Sequence, residues 1–401
     1  MEASFRNTGM TRENVDAACD VTIADAGYAP WGEAVKEPVQ SRMLLPRRAF
    51  LGGLTTSAAL ASRRSAPAAP ADTAAPRPDI LVMDAMGELR MDYEEALIRD
   101  MLGSGLDSIT ITLCDPKPVG AEALELAVDS LLQHDRYLAA HPNFFVKAVS
   151  VADLERARSE GKLAVFYLYQ NTAQFGRELD RVDLFHRLGL RSCQLTYNDR
   201  NDAGVGCDAQ GGLTGFGREL IDRMNARRML VDLSHANMQT MAEAIQASHA
   251  PVHVSHTACS AVHENRRNTT DENLRGLADR GGVVGICQMR PFLTGKKSDN
   301  LHAYFDHLLH AVKVAGVEHV CIGSDRDHRV IRLSPEYLAE LKREEGSQVV
   351  ASELPYFIDE LNGPRRMEVV YDGLVKRGLA SRDVERILGG NLLRLYRDAI
   401  G

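Results

Sequence analysis

Val231-Asp232-Leu233-Ser234-His235 and Val252-His253-Val254-Ser255-His256 are two short apolar runs, each ending in a Ser-His pair. Brief β-rich runs of this length read as strands, and the stretch Met238–Ala247 between them has helical spacing. Strand, helix and strand in succession make a parallel unit. The same alternation continues in both directions. Strands are expected at Ile80–Met83, Ser108–Leu113, Ala164–Leu168, Ser192–Thr196 and Met229–Leu233, then at Val252–Ser255, Val283–Cys287 and His319–Gly323. Amphipathic stretches such as Ala121–His134, Thr270–Asp279 and Leu301–Ala315 separate them. Eight such units predict a closed (β/α)8 barrel of the TIM-like type over residues 79–401. A further run, Phe144–Val149, is expected as a ninth strand outside the barrel, and the helical tail Gly363–Tyr396 is expected on its outer surface.

Nearly every strand runs into a polar, chemically capable residue: Asp84 and Glu88, Asp115, Gln170, Tyr197-Asn198, His235, His256, Gln288, then Asp325 and Asp327. Barrel enzymes carry their chemistry at the C-terminal strand ends. A lone His after a strand is usually a hydrogen-bonded structural residue. Two of them in successive units share a centre, however, and neutral imidazole is a common zinc ligand. His235 and His256 are therefore the expected metal ligands. Asp325, after the last strand, is placed to take a proton at the barrel mouth, the alternative being a helix N-cap. Asp327 is the more natural capping or supporting group. In Arg266-Arg267-Asn268 a guanidinium can grip a carboxylate with two parallel hydrogen bonds, or the pair can simply be a solvated surface pair.

The net charge of −8 over 401 residues, with no basic stripe, argues against a nucleic-acid partner. None of the seven cysteines forms a CxxC pair, so a thiolate zinc site is not expected. Cys114, Cys193, Cys287 and Cys321 lie in or beside apolar runs and read as buried thiols, with Cys207 the candidate for one disulfide. Near the start, Pro46-Arg47-Arg48 precedes a short apolar run, Gly52–Ala61, and a later Ala-Pro-Ala. This resembles a twin-arginine export signal, with cleavage after Ala68 or Ala71. It is too short to span a bilayer, which takes about 20 apolar residues. Residues 43–78 are then signal and Ala/Pro-rich linker, and residues 1–42 an over-extended or disordered start with Met43 as the working initiator. A periplasmic protein with no stable membrane span is expected.

The run Pro251–Ala258, then Arg266-Arg267-Asn268-Thr269-Thr270-Asp271-Glu272 and Gly281–Gly285, resembles the membrane (renal) dipeptidase family, peptidase family M19. So do Leu195-Thr196-Tyr197-Asn198, Asp232–His235, Gly323-Ser324-Asp325-Arg326-Asp327 and Ile387–Asn391, in the family's order. The resemblance implies a barrel hydrolase with two zinc ions that cleaves dipeptides or N-acyl amino acids with metal-activated water. It implies a homodimer as well. Carried over residue by residue, His235 and His256 are metal ligands, Asp325 the acid/base and Arg267 the carboxylate clamp. Tyr197 stands where the family has a substrate-contacting His, with Asn198 beside it on the substrate side. The chain departs from the family at the other half of the centre. The family's Asp-Gly-His-x-Asp reads Asp84-Ala85-Met86-Gly87-Glu88, and its bridging Glu falls at Gln170. A thioether and a neutral amide are poor partners for zinc among oxygen ligands. One zinc ion rather than two is expected, with Glu88 and Gln170 as weak or altered metal positions. The alternative function is a non-catalytic periplasmic binding protein, or pseudoenzyme, on the same scaffold.

Overall fold

The computed structural model describes residues 80–298, 300–345 and 349–401. The export signal, the linker, the start at Met43 and Cys19 lie outside the described residues.

Nine strands form one parallel sheet: β1 Met83–Gly87, β2 Ser108–Thr112, β3 Phe145–Lys147, β4 Leu163–Tyr169, β5 Leu190–Gln194, β6 Leu230–Asp232, β7 His253–Thr257, β8 Val283–Ile286 and β9 Val320–Ile322. Eight of them follow the order β1-β2-β4-β5-β6-β7-β8-β9. The ring is drawn together at the C-terminal ends of its first and last strands. There the Asp325 amide donates to the Met86 carbonyl at 2.8 Å and the Glu88 amide to the Arg326 carbonyl at 3.2 Å. The architecture is the expected (β/α)8 barrel. β3 is off the ring, as expected, but it is not separate from the sheet: it pairs in parallel with the first half of β4, Phe145 beside Leu163.

Each strand alternates between two surroundings, because successive side chains point to opposite faces. In β4, Val165, Tyr167 and Tyr169 pack into the layer between sheet and helices, whereas Ala164 and Phe166 join Met83, Leu230, Val283 and Cys321 in a second apolar cluster. Leu392, Leu395 and Tyr396, on the helix Asn391–Ala399, belong to that second cluster too. Tyr396 lies edge-on to Phe166 at 4.9 Å, and its hydroxyl meets Thr110 Oγ1 at 2.5 Å. The chain's last helix therefore plugs the N-terminal end of the barrel, rather than only lying on its outside. That leaves the C-terminal end for chemistry.

Two features were not expected. β1 begins at Met83, so Asp84 and Met86 lie within the strand. A carboxylate tolerates that place because the Ser324 amide and hydroxyl both donate to it, at 2.8 and 2.5 Å. The helix Val151–Ser159 was not expected because four of its nine residues are charged. It is held by the Ser150 cap, which accepts from the Asp153 amide at 3.3 Å, and by burial of Val151, Leu154 and Ala157. Six of the cysteines are free thiols, Cys207 among them, so the disulfide alternative does not hold for the described residues. No helix among the described residues is long and apolar enough to cross a membrane.

Inside the barrel, backbones pass close together below the His256 strand end. A Cβ built on Gly285 or Gly323 would stand 2.0 or 1.8 Å from the Ser255 carbonyl oxygen. Overpacking against backbone typically costs about 1–3 kcal/mol or more. Gly285→Ala should therefore lower stability by at least that amount in denaturant unfolding, and also weaken metal binding, because relief by a shift of Ser255 moves the adjacent His256. Unchanged stability and metal affinity would refute this account of the packing.

Candidate active site

The C-terminal mouth opens into a cavity of about 1140 Å³ lined by Met86, Gln170, His235, Arg267 and Asp325, among others. Its floor is organised by a carboxylate within β6. Asp232 is fully buried. Its Oδ1 accepts from the Ser234 amide and hydroxyl (3.0 and 2.9 Å) and the Ser255 amide (3.0 Å), and its Oδ2 from the Ser255 hydroxyl (2.6 Å). One buried charge thus ties both Ser-His turns together, and the His256 amide adds a bond to Ser234 Oγ at 3.0 Å. Burial would raise the Asp232 pKa, and the hydrogen bonds donated by Ser234 and Ser255 oppose that rise.

His235 Nδ1 faces the Asn198 amide oxygen at 2.6 Å, and His256 Nδ1 faces Ser255 Oγ at 2.9 Å. Asn198 Oδ1 can only accept, and the Ser255 hydrogen is directed to Asp232. Both Nδ1 atoms are therefore assigned as N–H, which leaves a lone pair on each Nε2. Those two Nε2 atoms are 3.0 Å apart. Burial and the Arg267 charge push the His235 pKa well below the imidazole value and the His256 pKa down to about 3, so both rings are neutral. Two neutral lone pairs at this separation repel unless a cation lies between them.

His235 and Asp325 share a second property. With φ of 66° and 55°, both occupy the left-handed region that non-glycine residues seldom adopt. Such strain is found where a fold over-determines a functional group. The Tyr197 ring stacks on His235 with centroids 4.2 Å apart, which fixes the ring plane. Arg267 is 6% exposed with its Cζ 5.4 Å from the Phe292 ring centroid, so it is no solvated surface residue; Arg266 is, at 63% side-chain exposure, pairing with Asp208 at 2.7 Å.

The first-strand half of the mouth has different chemistry. Met86 and Gln170 line the cavity and are buried, and the Glu88 carboxylate pairs with Arg90 at 2.9 Å. Among the described residues no group of three His, Cys, Asp or Glu side chains stands ready to hold a metal. Two Zn–N bonds of about 2.0–2.1 Å at a tetrahedral angle put their nitrogens about 3.3 Å apart. The imidazole pair fits one such ion, whereas the donor set beside Met86 and Gln170 does not fit a second.

Asp327, read as a cap or supporting group, is a buried acceptor for Tyr93 Oη (2.6 Å), Arg329 (2.6 Å) and Arg90 (3.0 Å). Two residues at the site were given no role in the sequence reading: Asp232 and Arg326. For Asp232 the signal was an acid inside an apolar strand. Burial pushes the Asp84 pKa up to about 6, against the opposing bonds from Ser324 and the Arg366 charge. A raised carboxyl pKa contributes stability that is fully present below the unfolded value and is lost as pH rises through the folded one. Relative to Asp84→Asn, the protein should thus lose roughly 3 kcal/mol of unfolding free energy between pH 4 and 7. A pH-independent difference would contradict that shift.

The sequence pattern of the family described as "Membrane dipeptidase (Peptidase family M19)" matches residues 84–342. An uncharacterised dipeptidase of Schizosaccharomyces pombe is 35% identical over 211 residues, 50% of this chain and 51% of that protein. Dipeptidase tcpJ of Claviceps purpurea is 28% identical over 252 residues, 61% of this chain and 53% of that one. The chain thus spans about half the length of these curated relatives. An amidohydrolase structure from Pseudomonas aeruginosa superimposes with a TM-score of 0.73 at 27% identity, covering 81% of this chain and 98% of that one. The fold is a (β/α)8 barrel of the metal-dependent hydrolase type. The chain belongs to the membrane dipeptidase family, peptidase family M19.

Proposed function

We propose that this chain is a zinc-dependent hydrolase of dipeptides or N-acyl amino acids that works with a single ion held by His235 and His256. The observation that carries the reading is the pair of Nε2 atoms facing one another at 3.0 Å. A zinc ion bound there would supply Lewis-acid polarisation of the scissile carbonyl and a lowered pKa for water. Arg267 holds the substrate's free carboxylate and so sets the register of the scissile bond against the histidines. Asp325 takes the proton of the attacking water and returns it to the leaving amine. Tyr197 and Asn198 keep His235 in one orientation and one tautomer, the role of groups behind a ligand.

A second reading, a binding protein that retains substrate without cleaving it, is favoured by Met86 and Gln170 at the cavity wall. Zinc analysis of the full chain purified without chelators, together with turnover of a broad dipeptide panel, separates the two. About one equivalent of zinc with hydrolysis is expected. Tight dipeptide binding without hydrolysis establishes the second reading, and two equivalents would show that the first-strand half still holds metal.

A further inference from the structure

Arg326 lies between two acids in the sequence, in the run Asp325-Arg326-Asp327. In the fold it is 5% exposed, lines the same cavity as Arg267, and donates from Nη1 only to the Met289 sulfur at 3.2 Å. Its Nη2 is buried without a partner, and so is Nη2 of Arg267. The nearby wall carboxylates are committed elsewhere: Glu88 and Asp327 to Arg90, Asp327 and Glu340 to Arg329, and Asp115 to Lys117. Asp325, whose backbone is tied to Met86, faces the same space. A buried guanidinium with an unmet donor is costly unless a ligand brings an acceptor.

The two guanidiniums flank one segment. Arg267 lies against Phe292 and Arg326 against Met289, the residue that opens the short helix Arg290–Leu293. Met289 caps that helix and Phe292 lies in it, so both guanidiniums line the wall of one cavity beside the same short segment. We infer that the pocket selects substrates with two carboxylates, namely dipeptides or N-acyl amino acids whose C-terminal residue is aspartate or glutamate. Arg267 takes the α-carboxylate and Arg326 the side-chain carboxylate. This rests on the hydrolase reading above, which by itself requires only the first of these contacts.

The test compares kcat/KM for alanyl-glutamate and alanyl-glutamine, each with both configurations of the second residue, on the zinc-loaded full chain. The two peptides differ in charge and hardly in size. Hydrogen bonds to charged groups predict a preference for the glutamate peptide of roughly tenfold or more. Arg326→Met, which keeps much of the stem, and Arg326→Gln should bring the ratio to about one, with thermal melting used to verify folding. The ratio reports recognition, which a purely structural role for Arg326 would not change. Absence of the preference in the wild type, which needs no variant, overturns the inference and leaves the hydrolase reading standing. Persistence of the preference in folded Arg326 variants does the same. If no dipeptide at all is cleaved, the hydrolase reading itself fails and the inference falls with it.

Discussion

His256→Ala should leave the protein with less than a tenth of an equivalent of zinc and reduce dipeptide turnover by a factor of about 10³ or more. Changing groups that merely support a zinc ligand costs about 10–100-fold in affinity or activity, and here one of two imidazoles is removed outright. The Glu88 carboxylate is paired with Arg90, and Cys193, Cys259, Cys287 and Cys321 are buried with thiol pKa values raised by burial. His235→Ala should behave alike. A second readout separates metal loss from misfolding. A ligand that binds only the native state stabilises it by about 2.7 kcal/mol at a hundredfold excess over Kd. Added zinc should therefore raise the melting temperature of the wild type and leave that of either variant unmoved. Variants that melt cooperatively yet keep a full equivalent would place the ion elsewhere.

Asp325→Asn should lower kcat by about 10²–10⁴ while zinc content and KM stay near their wild-type values, as general acid–base catalysis is worth that much. Asparagine is the informative replacement because the backbone at this position, with φ of 55°, is one that Asn tolerates better than most residues. The amide bond from residue 325 to the Met86 carbonyl, part of the barrel's closing seam, is kept as well. The capacity to take a proton is lost. Asp325→Ala adds backbone strain and should melt lower than the Asn variant. Should Asp325→Asn retain more than about a tenth of kcat, the proton must travel through another group.

The barrel was legible because its cause is local and repeated. Eight apolar runs with intervening helical periodicity admit few arrangements, and the polar residue ending each run marked the functional end. The boundaries that slipped are those where tertiary partners satisfy polar groups, as Ser324 does for Asp84 in β1. The role of the tail was missed for a related reason. Tyr396 belongs to an amphipathic helix, and nothing in that pattern says which apolar surface it will meet.

By itself the sequence determined the fold class and singled out the two imidazoles, Asp325, Arg267 and the departures at Met86 and Gln170 as candidates, because each is a matter of residue type at a strand end. Which groups face one another was decided by the tertiary structure alone. Closure of the ring sets the Nε2 atoms of His235 and His256 3.0 Å apart, although twenty-one residues separate them in the chain. Closure also leaves Asp232 holding both turns and seals Arg326 into the cavity with an unmet donor. Separation along the chain carries no information on such contacts. They arise when burial removes water and each polar group must find a partner inside the fold.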